Sequence, residues 1–400
     1  MTKLAPLKPS WFLSDFEPEN CIYLTRADPD AAMWLPQVPC AIDWMACGPR
    51  TMLGTLGRFV LPAATTPIGA QLIEWTGLTD ETRHVFYTAS SDCLGEAEKL
   101  SREGAVLTCQ HYLPRWPDYD IRWRTPPSLL ADLNNKAKLA DNVPQDLTPK
   151  RRIVARAALL EEIEKEKTPF ALKAGTPLSS GGAIAACVCA TPDEARATAK
   201  TFLDVKDPDA SFVIETFYPF TQTWCANIGV YEKGRIYFGA AQQVLDDARK
   251  QTGSLNGGPF TAPDAVRDAA LAIAEIAFDA GYRGIAGIDM GITEDGKLLA
   301  FDLNFRMTAC TSQILYHDNA CARVNAAVSR NCAFNFEAPL AEVVGKLEDI
   351  VKQGVFVPLS SFDNTLRDEV TAGCRLWGLA LGADADETSD VAEKVGGVCS

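Results

Sequence analysis

The chain has 400 residues, with 38 lysines and arginines against 52 aspartates and glutamates, and its formal net charge is −14. This length predicts two or three domains with ample hydrophobic core, and the acidic balance argues against general binding to nucleic acids or to anionic membranes. No stretch of the sequence has the length and apolarity of a membrane-spanning helix.

The cysteines predict a reducing compartment. There are 13 of them, an odd number, and they are scattered along a long chain, which is typical of free cytosolic thiols rather than of a disulfide framework. The first residues lack the continuous apolar segment of a secretory signal, so we expect a cytoplasmic protein. Since Cys187-Val-Cys189 is not a zinc-binding spacing and there are only 3 histidines, we expect no structural zinc site.

Residues 1–125 are expected to form a small α/β domain. The segments NCIYLT and RHVFYTA are rich in β-branched and aromatic residues and predict strands. The segment CLGEAEKLSREG, which follows the second of these strands, predicts a helix that ends at a glycine. No G-x-G-x-x-G motif follows a strand, so this domain carries no dinucleotide-binding fingerprint.

The middle of the chain alternates predicted helices and strands. The segment KRRIVARAALLEEIEKEK, residues 150–167, predicts an amphipathic helix. PFALKAG predicts a strand that carries Lys173, and SFVIETFYPF predicts a strand that carries Glu215.

Further along, TWCANIGVYEKGRIYFGAAQQV predicts a hairpin that turns at Lys233-Gly234. It is followed by DAVRDAALAIAEIAFDAG, which predicts a long helix closed by Gly281. Residues 320–352 are expected to be mainly helical.

The segment GIDMGITEDGKLLAFDLNFR, residues 287–306, predicts a hairpin with two facing carboxylates. Asp295-Gly296 favours a two-residue turn. Because antiparallel partners keep a constant sum of residue numbers, such a turn places Asp289 directly opposite Asp302. Like charges so placed destabilise a sheet, since at 4 Å and an effective dielectric of about 20 they repel by about 4 kcal/mol.

Period-two alternation assigns the other hairpin residues to two faces. The apolar face, which we expect to pack on the core, holds Ile288, Met290, Ile292, Phe301, Leu303 and Phe305. The opposite face carries the two carboxylates among small residues, together with Asn304 and, if the strand continues, Arg306. A cation would relieve the repulsion there, and such oxygen ligands suit Mg²⁺ that also carries phosphate oxygens. The alternative is a solvated hairpin face without a ligand.

Two further segments are weaker candidates for ligand binding. After Lys173 the chain continues as AGTPLSSGGAI, a loop of small residues in which Gly181 and Gly182 let the backbone approach a ligand and cradle phosphate. Glu215 ends an apolar strand. A surface turn and a capping carboxylate are the alternative interpretations of these two segments.

The order of these features resembles the ATP-grasp superfamily. Lys136 is followed by Lys173 with its glycine loop, by Glu215 and by the Asp289, Asp302 and Asn304 hairpin, and the resemblance covers roughly residues 130–310. It implies an ATP-grasp fold of the α+β and α/β type, in which a small N-terminal domain precedes two α+β lobes that hold ATP between them. The implied division is given by four ranges: 1–125, 126–215 for the lid lobe, 216–340 for the lobe with the metal site, and 341–400 for a mixed extension.

The resemblance also implies roles for individual residues. Lys136 and Lys173 match the phosphate-contacting lysines, and Arg306 and Lys173 are the implied catalytic residues. Asp289, Asp302 and Asn304 match the ligands of Mg²⁺, for which Mn²⁺ is an alternative. The implied lid loop and adenine-contacting strand are made of Ser179, Ser180, Gly181, Gly182, Glu215, Thr216, Phe217 and Tyr218.

The sequence departs from the family pattern at three positions. Asp302 is one methylene shorter than the usual glutamate, which bears on its ability to bridge two metal ions. Gln222 stands where a ribose-binding glutamate is common, and it keeps hydrogen-bonding capacity without the charge. Asn135 precedes Lys136 where aspartate is frequent, so Lys138 remains an alternative to Lys136, and a solvated helix face is the alternative for both.

The implied activity is that of an ADP-forming ligase that joins a small-molecule acid to a small-molecule amine through an acyl phosphate. Phosphoryl transfer from ATP turns a carboxylate oxygen into a leaving group, and the amine either belongs to a second molecule or closes a ring in the same one. The alternatives are an ATP-grasp kinase with a stable phosphorylated product and a nucleotide-binding regulatory protein. Neither nucleic acid nor membrane is expected as a partner, and a homodimer is among the assemblies left open.

Overall fold

The computed structural model describes residues 5–24, 32–35, 41–46, 48–88, 92–178, 180, 184–246, 251–366 and 373–399. No helix within these ranges is both long and apolar enough to cross a membrane. The eleven cysteines that fall within them are all free thiols.

The N-terminal part is a parallel four-stranded sheet with helices, as expected of a small α/β domain. Its strand order is β3-β2-β1-β4, and every pair is parallel. The strands are β1 (Cys21–Leu24), β2 (Gly57–Val60), β3 (Arg83–Phe86) and β4 (Val106–Cys109), and the helices are α1 (Ala41–Ala46), α2 (Pro67–Glu74) and α3 (Cys93–Arg102).

The second sheet is antiparallel and has the order β5-β8-β6-β7. Its strands are β5 (Arg151–Val154), β6 (Phe170–Gly175), β7 (Ala186–Cys189) and β8 (Ser211–Thr216). The helices of this part are α4 (Pro127–Asn134), α5 (Leu139–Asn142), α6 (Leu159–Ile163) and α7 (Pro192–Asp204).

The helix predicted over residues 150–167 is wrong in its first half. Residues 151–154 form the edge strand β5, which pairs with β8, and α6 begins only at Leu159. The apolar spacing of this segment fits a helix, but pairing with a strand some 60 positions later overrides the local preference.

The third sheet is antiparallel and eight-stranded, with the order β13-β12-β9-β10-β11-β14-β16-β15. Its strands are β9 (Phe220–Tyr231), β10 (Gly234–Leu245), β11 (Gln251–Asn256), β12 (Gly284–Thr293), β13 (Leu298–Asn304), β14 (Val328–Phe336), β15 (Phe356–Asp363) and β16 (Cys374–Gly382). Its helices are α8 (Asp264–Asp279), α9 (Ala309–Val324), α10 (Leu340–Lys352) and α11 (Ala385–Gly396). The last two strands of the chain therefore extend this large sheet.

Helix α8 covers one face of the large sheet, as its sequence predicts. The residues that it buries recur at the spacing of one helical face: Val266, Ala269, Ala270, Ile273, Ala274 and Ala277. They join a core with β9, β10 and β12. The helix ends as expected, because Gly281 takes a φ of 97° directly after it.

The hairpin of β12 and β13 places Asp289 opposite Asp302, as predicted. The predicted two-residue turn is wrong, because the amide of Thr293 donates to the carbonyl of Lys297 at 2.9 Å across a three-residue loop. The loop shifts the register by one residue at the tip, and a bulge at Phe301 restores it before Asp302.

The bulge also changes the predicted faces. Ala300, opposite Met290, lies in the core instead of Phe301. The ring of Phe301 lies on the same side as Asp302, 5.4 Å from the ring of Phe220. The bulge therefore adds an aromatic side chain to the face that carries the carboxylates.

We expect Gly291→Ala to destabilise the protein by about 1–3 kcal/mol, because a methyl group there overpacks the hairpin. A Cβ atom at Gly291 would lie 2.3 Å from the Phe220 ring. The matched control is Gly345→Ala in α10, where nothing lies within 4 Å and where helix propensity predicts a gain of about 0.5–1 kcal/mol. Apparent melting temperatures should shift in opposite directions, and a fall for both variants would contradict this assignment.

Candidate active site between the sheets

A cavity of about 960 Å³ opens between the second sheet, the hairpin of the large sheet and the N-terminal sheet. Such a volume lies at the upper end of the range for small-molecule sites. Eleven of the predicted site residues line it: Lys136, Lys173, Ser180, Glu215, Thr216, Phe217, Tyr218, Asp289, Asp302, Asn304 and Arg306.

Three predicted lid-loop residues, Ser179, Gly181 and Gly182, lie outside the described residues. Gln222, the predicted ribose contact, is exposed on β9 and is absent from the described lining of the cavity. The structure therefore does not bring Gln222 to the other predicted residues.

Lys173 joins the second sheet to the hairpin. Its Nζ donates to Oε1 of Glu215 at 2.6 Å and to the carbonyl oxygen of the bulge residue Phe301 at 2.8 Å. Burial lowers the pKa of Lys173, and the charge of Glu215 opposes this effect. The bulge in β13 thus gives this lysine a fixed acceptor at the centre of the cavity wall.

Lys136 lines the cavity, whereas Lys138 is not among its described lining residues. Nζ of Lys136 donates to Oδ1 of Asp302 at 2.5 Å, and Lys138 forms an exposed ion pair with Asp132. Burial works against the ionised form of Asp302, yet Lys136, with help from Lys173 and Arg306, holds the pKa of that carboxyl below its ordinary value.

Asp289 is the other carboxylate of the pair. It accepts hydrogen bonds from Nε2 of Gln243 at 3.0 Å and from Nδ2 of Asn304 at 3.1 Å. Burial, and then repulsion from Asp302, raise the pKa of Asp289 to about 7. The pKa values of the two facing carboxyls are therefore shifted in opposite directions, as expected for like charges that share one site.

Arg306 lies beyond the end of β13 but still lines the cavity. Its Nη2 donates to Oδ1 of Asn304 at 2.7 Å, and its Nη1 donates to the carbonyl oxygen of Met307 at 3.2 Å. Burial lowers the pKa of Arg306, while Asp302 and Asp289 oppose that effect. The hydrogen bonds fix the guanidinium at the cavity wall next to the carboxylate pair.

The segment that follows β8 forms another part of the wall. The chain leaves the second sheet after Thr216, so Phe217 and Tyr218 lie outside any strand. The ring of Tyr218 stacks on Phe220 at 6.3 Å, and Phe220 stacks on Phe301. Backbone groups and aromatic faces together are suited to a flat heterocycle.

Positive charge is in slight excess here although the whole chain is acidic. Arg151 adds to it, because its buried guanidinium lies 3.6 Å from Glu215 and donates to the carbonyl oxygen of Lys136. Four cations and three carboxylates result: Lys136, Arg151, Lys173 and Arg306 against Glu215, Asp289 and Asp302. A polyphosphate would find a favourable local charge.

The oxygen atoms of the hairpin fit a hard divalent cation. Asp289 and Asp302 face each other, and Asn304 lies beside Asp289. Within the described part of the chain, no group of three or more His, Cys, Asp or Glu side chains is arranged to hold a metal ion. Mg²⁺ at this position would therefore complete its six ligands with phosphate oxygens and water, as is usual for this ion.

We expect Mg²⁺ to bind more tightly as the pH rises from 6 to 8. A raised pKa keeps Asp289 protonated below about 7, and the cation binds the carboxylate form, so binding should weaken about tenfold at the lower pH. The measurement is a Mg²⁺ titration with a non-hydrolysable ATP analogue, for the wild type and for Asp289→Asn. The titration of the nucleotide itself is common to both proteins, so equal pH dependence in the two would contradict the prediction.

Sequence reasoning missed several residues of the site. Gln243 follows another glutamine in β10, and a polar pair within an apolar strand is a usable signal. Arg151 was missed because it lies in the segment that was predicted to be helical. Trp44 and Trp377 also line the cavity, but no local pattern links two residues so far apart in the chain.

The N-terminal sheet meets the cavity at the ends of its strands. Leu24 ends β1, Gln110 and His111 directly follow β4, and all three line the cavity. Ligands of parallel sheets bind at the carboxyl ends of strands, where the strand order reverses, and β1 and β4 flank that point here. Oε1 of Gln110 accepts from the amide of Met307 at 3.3 Å and ties this sheet to the segment of Arg306.

The part of the chain that carries Lys173, Glu215 and the hairpin carboxylates matches a family model. Residues 149–304 match the family model of L-aspartate–L-methionine ligase, ATP grasp. The matched range begins just before β5 and ends at Asn304, so it includes Lys173, Glu215 and the hairpin carboxylates.

Solved structures are similar over almost the whole chain. An ADP complex of N5-carboxyaminoimidazole ribonucleotide synthetase is 15% identical with a TM-score of 0.58, and the match covers 99% of this chain and 98% of that one. An L-amino acid ligase from Bacillus licheniformis is 12% identical with a TM-score of 0.56 over 94% and 96% of the two chains. Biotin carboxylase from Campylobacter jejuni is 11% identical with a TM-score of 0.53 over 92% and 89%. At such identities the likeness is one of fold.

Proposed function

We propose that the chain is an ATP-dependent ligase of the ATP-grasp type, which joins a carboxylate to an amine through an acyl phosphate with release of ADP and phosphate. The match of residues 149–304 to an ATP-grasp ligase family and the likeness of fold to solved ligases support this proposal. The observation that carries the proposal is the cavity in which Lys136, Lys173 and Arg306 surround the facing carboxylates Asp289 and Asp302. This is the charge pattern that a transferring phosphoryl group requires.

We propose that the nucleotide lies between the second sheet and the hairpin. These two sheets lie on opposite sides of the cavity. This arrangement supports a boundary near residue 215 between the lid lobe and the lobe with the metal site. In this arrangement the adenine base packs against the segment Glu215 to Tyr218, and Lys136 and Lys173 contact the phosphates. Ser180, which also lines the cavity, is available as a further hydrogen-bond donor to phosphate.

The metal is assigned to Asp289, Asp302 and Asn304. When bound there, Mg²⁺ would neutralise charge on the phosphate oxygens during transfer. Asp302 is held by Lys136 at 2.5 Å, so this lysine and the cation would share the carboxylate, and the phosphates give the lysine a second partner. The short side chain of Asp302 supports one metal ion rather than a bridge between two.

The chemistry proceeds in two steps. In the first, a carboxylate oxygen of the acid forms a bond to the γ-phosphorus of ATP while the bond from that phosphorus to the oxygen of ADP breaks. In the second, the amine nitrogen attacks the acyl carbon, phosphate leaves, and the amine loses a proton to water. Arg306 would stabilise the oxygen on which negative charge develops in the second step.

The test uses hydroxylamine in place of the unidentified amine. An acyl phosphate reacts with hydroxylamine to give a hydroxamate and phosphate, so a panel of carboxylic acids should yield both ADP and the matching hydroxamate, detected by mass spectrometry. Omission of the acid is the control. A stable phosphorylated product that hydroxylamine does not consume would instead identify a kinase, and nucleotide binding without any ADP release would identify a regulatory protein.

We expect Lys136→Met to lower kcat/KM for ATP by at least about 30-fold, and Lys138→Met to change it less than twofold. Lys136 and Asp302 are partly buried. Removing one partner of a desolvated, hydrogen-bonded charge pair costs about 2–5 kcal/mol, whereas an exposed pair such as Lys138 and Asp132 contributes about 0–1 kcal/mol. Steady-state kinetics with varied ATP measure both effects. The assignment of Lys136 would be wrong if the two variants behaved alike.

A further inference from the structure

One end of the cavity is apolar and aromatic. We call it the apolar end and define it by Leu24, Trp44, Met45, Met52, Met307 and Trp377, which all line the cavity. It is supplied by β1, by α1 and the loop before β2, by the segment after Arg306 and by β16. The carboxylates and lysines of the nucleotide site come from other elements.

Two tryptophans form the walls of the apolar end. The rings of Trp44 and Trp377 are 5.7 Å apart and inclined at 59°, and the guanidinium of Arg375 lies 4.7 Å from the centre of the Trp44 ring. Nε1 of Trp44 is shielded from solvent and has no hydrogen-bond acceptor within the described part of the chain.

The charges around the cavity exclude a cationic group at the apolar end. Among the described lining residues, the acidic ones are Glu215, Asp289 and Asp302, and each is already engaged in the nucleotide site. The cation of the N-terminal sheet, Arg58, is buried and donates to the carbonyl oxygens of Gly48 and Pro49. A cationic substrate side chain would lose its hydration there without gaining an acidic partner.

We propose that the acid which this enzyme activates carries a large apolar or aromatic side chain, of the size of methionine, leucine, phenylalanine or tryptophan, which packs against the paired rings of Trp44 and Trp377. The inference rests on the proposed function. Because Met307 directly follows Arg306, a side chain at the apolar end leaves its carboxylate beside the guanidinium and the metal position.

The experiment compares the L-amino acids methionine, leucine, phenylalanine and tryptophan with alanine, aspartate and lysine, each in the presence of ATP, Mg²⁺ and hydroxylamine. The kcat/KM for at least one large apolar acid should exceed that for each of the small or charged acids by tenfold or more, because apolar pockets discriminate by about 10–200-fold per methylene group. A charged or small acid that is the best substrate would overturn the inference while leaving the ligase activity established.

Variants separate a substrate pocket from a structural role. Trp377→Ala should raise KM for the preferred acid at least tenfold and leave KM for ATP within twofold, and Trp377→Phe should restore most of the loss. Trp11→Ala is the matched control, because Trp11 is 46% exposed and is not among the described lining residues. A Trp377→Ala variant that lowers kcat equally for all acids would contradict the inference.

A binding measurement keeps the inference testable if no acid is activated. In that case the proposed function fails, and the thermal shift of the complex with a non-hydrolysable ATP analogue is measured with the same acids. Stabilisation by the large apolar acids alone would support the apolar end as their site. Equal stabilisation by all acids, or none by any, would contradict it.

Discussion

Replacing Asp302 with asparagine is expected to abolish turnover and to leave the fold intact. The carboxylate faces Asp289 across the hairpin and is bound by Lys136 at 2.5 Å. Asparagine has nearly the same shape but lacks the charge, so it neither holds a cation firmly nor balances the lysine. A metal ion contributes several kcal/mol to the stabilisation of transferring phosphate, and each 1.4 kcal/mol is tenfold, so kcat should fall by about 10²–10⁴.

The measurements for Asp302→Asn are ADP release at saturating Mg²⁺, ATP binding, and the melting temperature. Asp279→Asn is the matched control, since Asp279 is exposed at the end of α8 and the same change in charge there should alter kcat less than twofold. Full activity of Asp302→Asn with Mg²⁺ would rule out the assigned metal site.

The facing carboxylates were predicted from the local pattern, and the structure shows them because a bulge offsets the different turn. Alternation and an Asp-Gly turn signal brought Asp289 opposite Asp302. The sequence could not indicate that the turn has three residues, nor that a bulge at Phe301 compensates for it. The carbonyl oxygen of the bulge residue Phe301 accepts a hydrogen bond from Lys173. Since Lys173 belongs to another sheet, the sequence of the hairpin alone does not reveal this contact.

Long-range pairing explains the other differences. Residues 151–154 carry charges and apolar residues at helical spacing, but they complete the edge of a sheet beside β8. This strand pairing places Arg151 next to Glu215. A helix over the same residues would give no reason to expect that contact. Gln222 shows the opposite case, because its position relative to Glu215 in the sequence matches the family pattern, yet the structure leaves it exposed.

The apolar end shows where a resemblance to a family stops being informative. The proposed nucleotide site is built from segments whose order in the sequence resembles the family pattern. The apolar end combines α1 near residue 44 with β16 near residue 377, and no family pattern links these two segments. Its residues become visible as one surface only when the three sheets are assembled.

Arg306→Ala is expected to lower kcat by about 10²–10³ while ATP binding is retained. Loss of a donor to a developing oxyanion costs about 2.7–4 kcal/mol, whereas loss of a surface ion pair costs about 0–1 kcal/mol. The guanidinium is held at the cavity wall by Asn304 and by the carbonyl oxygen of Met307. Since those two hydrogen bonds use two of its five N–H groups, others remain for a substrate oxygen.

Substitution by lysine separates charge from geometry. Arg306→Lys keeps the positive charge beside Asp289 and Asp302 but loses the planar fork, so it should recover only part of the activity that Arg306→Ala loses. Arg267→Ala is the matched control, because Arg267 forms exposed ion pairs on α8 and its loss should leave kcat within twofold. The measurement is kcat with the hydroxylamine assay, together with the dissociation constant of ATP. A loss of less than tenfold in kcat for Arg306→Ala, with ATP binding unchanged, would show that Arg306 only supports the hairpin.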